Sequence, residues 1–287
     1  MKVLNFWLDD QPRLGLQLPG GVLDVSAIAP DLPRSTDELI ALGQAGLERL
    51  AALAAQDHPL LAESEIRYAP AVLRPQIILC VGLNYAEHVK EGGRWELPGQ
   101  PVWFNKLPGA LIGHRQPVRL CRAASQHDAE AEIVVVIGKE GRYIDRERAH
   151  EHIFGYTLGN DISARDLQNR SSQWFIGKAC DTFGPLGPVI ATRDSVDEKA
   201  LDIRGYINGE LRQSSDISHM IFDIAAQIAD ASQFFTLRPG DLIFTGTCAG
   251  VIMGRKPPLT QDWLKAGDKV AVASAQIGEL INPIIAG

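Results

Sequence analysis

Asp128-Ala129-Glu130-Ala131-Glu132-Ile133-Val134-Val135-Val136-Ile137-Gly138 sets three acidic residues at alternate positions and then five β-branched residues in an unbroken run. β-Branched side chains are stiff at χ1 and favour strands. An apolar run without alternation reads as a strand buried on both faces. Residues two apart on a strand share a face, so Glu130 and Glu132 stand together at the mouth of the run, with Asp128 further out. Two parallel carboxylates repel each other and resist desolvation. A divalent cation relieves both penalties, and an all-carboxylate set selects a hard ion such as Mg2+, Mn2+ or Ca2+ over zinc. The alternative is an exposed acidic strand end.

Working outward, Ile77–Val81 is a second short apolar run, and Ile203–Ile207 is a weaker strand closed by the turn Asn208-Gly209. Pro239-Gly240-Asp241 and Ala266-Gly267-Asp268 are turn signals, each before an apolar run. Ser218 to Ala231 has helical spacing, with Ile221, Ile224, Ala225 and Ile228 on one face. The first 70 residues read as a small α/β unit. Leu14, Leu16 and Leu18 alternate as in a half-buried strand, and Ser35-Thr36-Asp37-Glu38 is a capping box opening a helix. A proline-bearing stretch, residues 69–75, marks a boundary near residue 70. The expected organisation is a small N-terminal domain, 1–70, and a β-rich α+β domain, 71–287.

The 287 residues are 45% hydrophobic and 22% charged, which excludes disorder. Thirty-five acidic against 28 basic residues give a net charge of −7, which argues against general nucleic-acid or anionic-membrane binding. The four cysteines lack CxxC spacing and suit a reducing compartment. The N-terminus has no signal-peptide core and no apolar stretch reaches about 18 residues, so a cytoplasmic location is expected. Walker A, GxGxxG, GxSxG and HExxH motifs are absent.

Four further segments carry chemistry. In Asn160-Asp161-Ile162-Ser163-Ala164-Arg165-Asp166-Leu167-Gln168, Asp161 offers a third carboxylate. A helix opening there puts Arg165 and Gln168 on one face, with Arg165 able to grip an anion bidentately. Lys178, between Gly177 and a turn-rich segment, is a candidate positioned cation. In Gly82-Leu83-Asn84-Tyr85-Ala86-Glu87-His88-Val89-Lys90-Glu91, His88 and Glu91 fall three apart on a short helix after the strand. A carboxylate beside an imidazole fixes its tautomer and raises its basicity. Thr245-Gly246-Thr247 offers backbone amides and hydroxyls at a strand end. Each signal has a plain structural reading as well: a surface ion pair, a solvated lysine, a strand-end turn.

Taken together and in this order, these segments resemble the fumarylacetoacetate hydrolase family. The likeness covers about residues 75 to 284, and also includes Phe104-Asn105-Lys106, Asp181-Thr182-Phe183, Asn208-Gly209-Glu210 and Ile277-Gly278-Glu279-Leu280-Ile281-Asn282. It implies an incomplete β-barrel, or β-roll, as the C-terminal domain, and a homodimer. It implies metal ligation of Mg2+ or Mn2+ by Glu130, Glu132 and Asp161. Catalysis would fall to Lys178 and to a His88–Glu91 dyad on a lid, with substrate contacts from Arg165, Gln168, Tyr85, Lys106 and Thr247. The implied activity is hydrolysis of a carbon–carbon bond in an acylpyruvate-like 1,3-diketo acid through a metal-stabilised pyruvate enolate. The alternatives are oxaloacetate decarboxylation, isomerisation or decarboxylation of a 2-hydroxy-dienoate in aromatic catabolism, and, remotely, a non-catalytic metal-binding protein. Two departures from the family pattern bear on substrate identity: Ala129 stands where an aromatic is frequent, and Cys248 where proline usually follows Thr-Gly-Thr. The acyl group would be read by the N-terminal unit, the lid around Gly92–Pro98, and one of Trp95, Trp103 and Trp174.

Overall fold

The computed structural model describes residues 1–93, 96–257 and 259–287; Trp95 of the expected lid lies outside them. The strand at the centre is Ala131–Ile137, and every one of its residues is buried. Ile133, Val135 and Ile137 enter one hydrophobic cluster, and Val134 and Val136 enter another on the opposite face. The unbroken β-branched run thus fills two cores at once, as expected of a doubly covered strand.

This strand pairs antiparallel with Ile153–Asn160 on one side and with Leu242–Phe244 on the other. It belongs to an 11-stranded sheet. From Leu242–Phe244 the sheet continues through Ile78–Gly82, in parallel, to Val102–Asn105. From Ile153–Asn160 it continues through Gly184–Thr192 to Lys2–Leu8, Gln11–Leu18 and Gly21–Asp24. The strands of residues 1–70 therefore extend the main sheet, and their apolar residues share a cluster with Val134 and Phe244. A five-stranded sheet, ordered Glu210–Asp216, Asp202–Ile207, Lys269–Ser274, Gly278–Ile285 and Val118–Arg119, packs beside it. The result is a mixed, β-rich α/β fold with open sheets.

Local chemistry accounts for the connections. Asn208 and Gly209 both take positive φ, which a two-residue hairpin turn requires. Ser35 caps the helix Thr36–Leu42 by accepting from the Glu38 amide at 3.2 Å. The helix expected from Ser218 begins instead at Ile224, behind an Asp223 cap. Asn84 explains the delay. Its Oδ1 accepts from the Phe222 amide at 2.8 Å, its Nδ2 donates to the Phe222 carbonyl at 3.0 Å, and its own carbonyl accepts from the Ile221 amide. Those backbone groups are thereby removed from helix bonding. Among the described residues no helix is long and apolar enough to cross a membrane.

Candidate active site

The carboxylates meet where two neighbouring strands come together. Glu130 precedes the central strand, Glu132 lies within it, and Asp161 follows the neighbouring strand Ile153–Asn160. The antiparallel register sets Ala131 opposite Asn160 and Glu132 opposite Gly159, so two segments some thirty residues apart deliver their acids to one place. The Glu130 amide donates to Asn160 Oδ1 at 3.0 Å and the Asp161 amide to the Glu130 carbonyl at 2.9 Å. One oxygen from each of Glu130, Glu132 and Asp161 lies within 4.8 Å of the others, and all three residues are buried.

Buried cations surround them. Lys178 Nζ donates to Glu130 Oε2 and, at 2.7 Å, to Asp161 Oδ2. Arg165 Nη2 donates to Glu130 Oε1 at 2.7 Å. Burial alone would raise the Glu130 carboxyl, but Arg165 and Lys178 outweigh it and hold Glu130 well below the usual carboxylate range. Burial likewise works against the Lys178 charge, yet Asp161 and Glu130 raise its ammonium. Glu132 is the uncompensated member. Burial, then Asp161 and Glu130, push it well above the usual range, and its hydrogen bond is from the Gly246 amide at 2.9 Å. That amide sits in a turn only glycine fits: Gly246 has φ +97°, and a Cβ there would lie 2.7 Å from Asn84 Cβ.

Asp128, expected further out, is fully buried and anchors this wall. Its Oδ2 accepts from Arg165 Nε at 3.0 Å and Nη2 at 2.9 Å. The same carboxylate accepts the Ile252 and Met253 amides at 2.9 and 3.0 Å. The alternation of three acids carried this signal, since Asp128 shares the parity of Glu130 and Glu132. Arg165 also donates from Nη1 to Gln168 Oε1 at 2.9 Å, across one turn of the helix Arg165–Gln168. A guanidinium has five N–H donors and four are engaged. The bidentate anion grip expected of Arg165 is therefore spent on Asp128, and one Nη1 proton is left.

His88 and Glu91 ride the helix Ala86–Glu91, with His88 Nδ1 2.7 Å from Glu91 Oε1. Glu91 Oε2 accepts from the Gly250 amide at 3.0 Å. A Cβ on Gly254 would lie 2.4 Å from Glu91 Cδ, so a side chain there would displace the dyad's carboxylate. His88 lines the same cavity, about 220 Å³, as Glu130, Glu132, Arg165, Gln168 and Lys178. Trp174, Phe104 and Met253 give it an apolar rim, while Trp103 instead donates from Nε1 to Asp230. A larger hollow of about 550 Å³ beside Arg13, Arg34 and Arg74 holds none of the clustered carboxylates.

Three of the expected substrate contacts are placed differently from the rest. Lys106 is buried behind Asp161, donating to the Lys178 and Phe183 carbonyls at 2.5 and 2.8 Å, and does not line the cavity. Tyr85 packs in the hydrophobic core. Thr247 does line the cavity, but its hydroxyl donates to the Ala131 carbonyl at 3.0 Å and accepts from Gln213 at 2.7 Å, so it has no proton left to give a ligand. Gln213, which sequence reasoning passed over, joins Thr247, the Cys248 carbonyl and the Ala131 amide. Its position in a polar strand carries no distinguishing signal.

The donor set fits a hard divalent ion. It is all oxygen, clustered and buried. Lys106, Arg165 and Lys178 leave one of the four buried carboxylates, Asp128, Glu130, Glu132 and Asp161, without a matching charge. Asp161 Oδ1 lies 2.5 Å from Lys106 Nζ, yet the angle makes no hydrogen bond, and the oxygen has no other donor among the described residues.

Open sheets that bring a buried acid cluster to one cavity with a carboxylate-paired histidine have the layout of an enzyme site. The family model for the fumarylacetoacetate (FAA) hydrolase C-terminal region matches residues 77–285, and the chain belongs to that family. It is 38% identical to a mitochondrial oxaloacetate tautomerase of Xenopus laevis, over 99% of this chain and 90% of that protein. An oxaloacetate tautomerase of Bacillus subtilis is 44% identical over 77% of this chain and 74% of its own length. Among solved structures, maleylpyruvate hydrolase of a Sphingobium species, in complex with manganese(II) and pyruvate, superposes with a TM-score of 0.79 at 29% identity, covering both chains fully.

Proposed function

We propose that this protein is a divalent-metal-dependent tautomerase of a small 2-oxo dicarboxylate, oxaloacetate in the first instance. The observation that carries the reading is His88, held by Glu91 from outside, lining one cavity with Glu130 and Glu132 of the carboxylate cluster. At about 220 Å³ that cavity is smaller than the roughly 300 Å³ at which drug-sized pockets begin, which favours a compact substrate. The identity to two oxaloacetate tautomerases supports the same choice.

Glu130, Glu132 and Asp161 would hold Mg2+ or Mn2+. When bound, the ion supplies Lewis-acid stabilisation of negative charge on the substrate's 2-oxo oxygen. The chain's own residues do the rest. Glu91 accepts the Nδ1 proton of His88, which leaves Nε2 free as base. Nε2 takes a proton from C3 of the keto form, and the electron pair moves to the C2 oxygen. Returning a proton to that oxygen gives the enol, so atoms and charge balance. Lys178 has one of three ammonium protons beyond those given to Glu130 and Asp161, and directs it at the developing charge. The remaining Arg165 Nη1 proton and the Gln168 amide orient a substrate carboxylate. Residues 1–70 act as an accessory unit to the catalytic 71–287.

Hydrolysis of an acylpyruvate is the second reading, favoured by the likeness to maleylpyruvate hydrolase. The same Nε2 would then take its proton from water. The test gives the full chain, with Mg2+ or Mn2+, oxaloacetate and an acylpyruvate in parallel. Enol absorbance, pyruvate and CO2 are followed. Rapid keto–enol equilibration that collapses in His88→Gln is expected. Equilibration no faster than in buffer with metal, or full rate in His88→Gln, would sink the tautomerase; pyruvate release from the acylpyruvate alone would establish the hydrolase.

A further inference from the structure

Residues 245–250 lie outside any helix or strand, yet they deliver a backbone amide to each wall of the proposed catalytic cavity. Gly246 N donates to Glu132 Oε2 at 2.9 Å, and Gly250 N donates to Glu91 Oε2 at 3.0 Å. Connecting segments are more mobile than the strands they join, so these amides are aimed only as well as their stretch is pinned. Thr245 pins the near end, donating from its amide at 3.1 Å and its hydroxyl at 2.8 Å to the Ile133 carbonyl. Thr247 donates to the Ala131 carbonyl at 3.0 Å. At Thr247 and Cys248 a side chain of the other sheet, Gln213, takes hold.

Gln213 is buried within the strand Glu210–Asp216 of the five-stranded sheet. Its Nε2 donates to Thr247 Oγ1 at 2.7 Å and to the Cys248 carbonyl at 2.8 Å, which spends both amide protons. Its Oε1 accepts from the Ala131 amide at 2.9 Å, and Ala131 is the residue between Glu130 and Glu132. One side chain thus ties the central strand, at its two acids, to the stretch that serves Glu91. The surroundings leave it room. A Cβ on Gly205, its partner across the strand pair, would lie 2.9 Å from Gln213 Oε1 and 3.0 Å from Ala131 Cβ. A Cβ on Gly250 would overlap the Arg212 carbonyl oxygen, so the far end of the stretch rests on the same strand.

We propose that Gln213 is a positioning residue for the reaction, fixing the carboxylate wall and the dyad wall relative to each other. It acts on the first through Ala131 and on the second through the stretch from Thr247 to Gly250. This rests on the assignment of those walls as metal site and base. Gln213 does not line the cavity, so it acts only through these neighbours. Without its amide, the buried Ala131 N–H loses its partner and the Cys248 carbonyl loses its donor. The Gly246 and Gly250 amides can then drift from Glu132 and Glu91. Drift of that kind lowers the rate of the chemical step and leaves the substrate's own contacts in place.

The test compares Gln213→Met and Gly205→Ala with the parent chain, with turnover assayed well below their melting temperatures. Methionine keeps the side-chain length but has no donor and only a weakly accepting sulfur. Gly205→Ala keeps every hydrogen-bonding group and presses the amide aside. One readout serves each wall. In Gln213→Met the midpoint of the Mg2+-induced rise in melting temperature should move about tenfold higher. At saturating Mg2+ its kcat should fall about tenfold to hundredfold, with KM within about twofold of the parent's. Gly205→Ala should move both readouts the same way by about threefold, and it decides alone if Gln213→Met fails to fold. Turnover is read on whichever of oxaloacetate and an acylpyruvate the parent uses, so a failed tautomerase reading leaves the test intact. A parent that turns over neither removes the assignment and the proposal with it. A lower melting temperature with native Mg2+ midpoint and native kcat would make Gln213 a packing residue, and movement of only one readout would deny that it bridges the walls; either result overturns the proposal.

Discussion

The two walls of the proposed catalytic cavity are held in opposite ways. The carboxylate wall grows from a strand buried along its whole length, and its acids are tied to neighbours on other elements: Glu130 to Arg165 and Lys178, Asp161 to Lys178, Asp128 to Arg165 and to the 252–253 amides. The dyad wall is a six-residue helix, Ala86–Glu91, braced by Gly250 and by the space that Gly254 leaves for Glu91. One wall must hold like charges together against repulsion and desolvation, and needs a network. The other has only to aim one imidazole, and a single carboxylate suffices. Perturbing the first should damage fold and chemistry together; perturbing the second should damage chemistry alone.

The sharpest break is Glu130→Ala. It strands Arg165 and Lys178 as partly unpaired buried cations, at a cost of about 3–5 kcal/mol in stability. Denaturant unfolding should show that loss, with metal binding and turnover of oxaloacetate both gone; a variant of native stability would show the network to be slack. His88→Gln comes next, with turnover lower by about 10²–10⁴-fold and an unchanged denaturation midpoint. A stability loss as large as that of Glu130→Ala would erase the contrast between the walls.

Gly254→Ala should have a smaller effect, because its new Cβ only displaces Glu91. A misplacement near 1 Å costs up to about 10²-fold, so a roughly tenfold to hundredfold fall in kcat with metal affinity intact is expected. Native kcat would mean that the dyad tolerates a shifted carboxylate.

The mildest test is pH. Glu132 has a folded pKa raised above its unfolded value, so its contribution to stability is complete below the unfolded value and is lost as pH rises through the folded one. Metal binding needs the ionised form and therefore gains with pH. The rise in melting temperature on adding Mg2+ should grow as pH rises above the ordinary glutamate range, about 4, and a chelator should remove it. An increment independent of pH would place the proton elsewhere.

Much of this was legible in residues 128–138. The β-branched run forces a strand, and period-two geometry puts Glu130 and Glu132 on one face whatever the rest of the chain does. The i, i+3 pairs His88–Glu91 and Arg165–Gln168 were equally local, and both form as spacing predicts. The 218–231 segment shows where local pattern fails: helical periodicity is present, but a distant asparagine, Asn84, claims the backbone groups that a helix start would need.

The sequence by itself determined which residues can bear charge, which runs must be strands and which neighbours along the chain can touch. Only the tertiary structure decided how those charges are spent. Asp128 became an anchor, Lys106 a support behind Asp161, Thr247 a hydroxyl with no free proton, and the first 70 residues an extension of the main sheet. The physical reason is that a buried charge is defined by its partners. Here the partners, Asp128 with Arg165 or Lys178 with Glu130, lie tens of residues apart and meet only through strand register and sheet order.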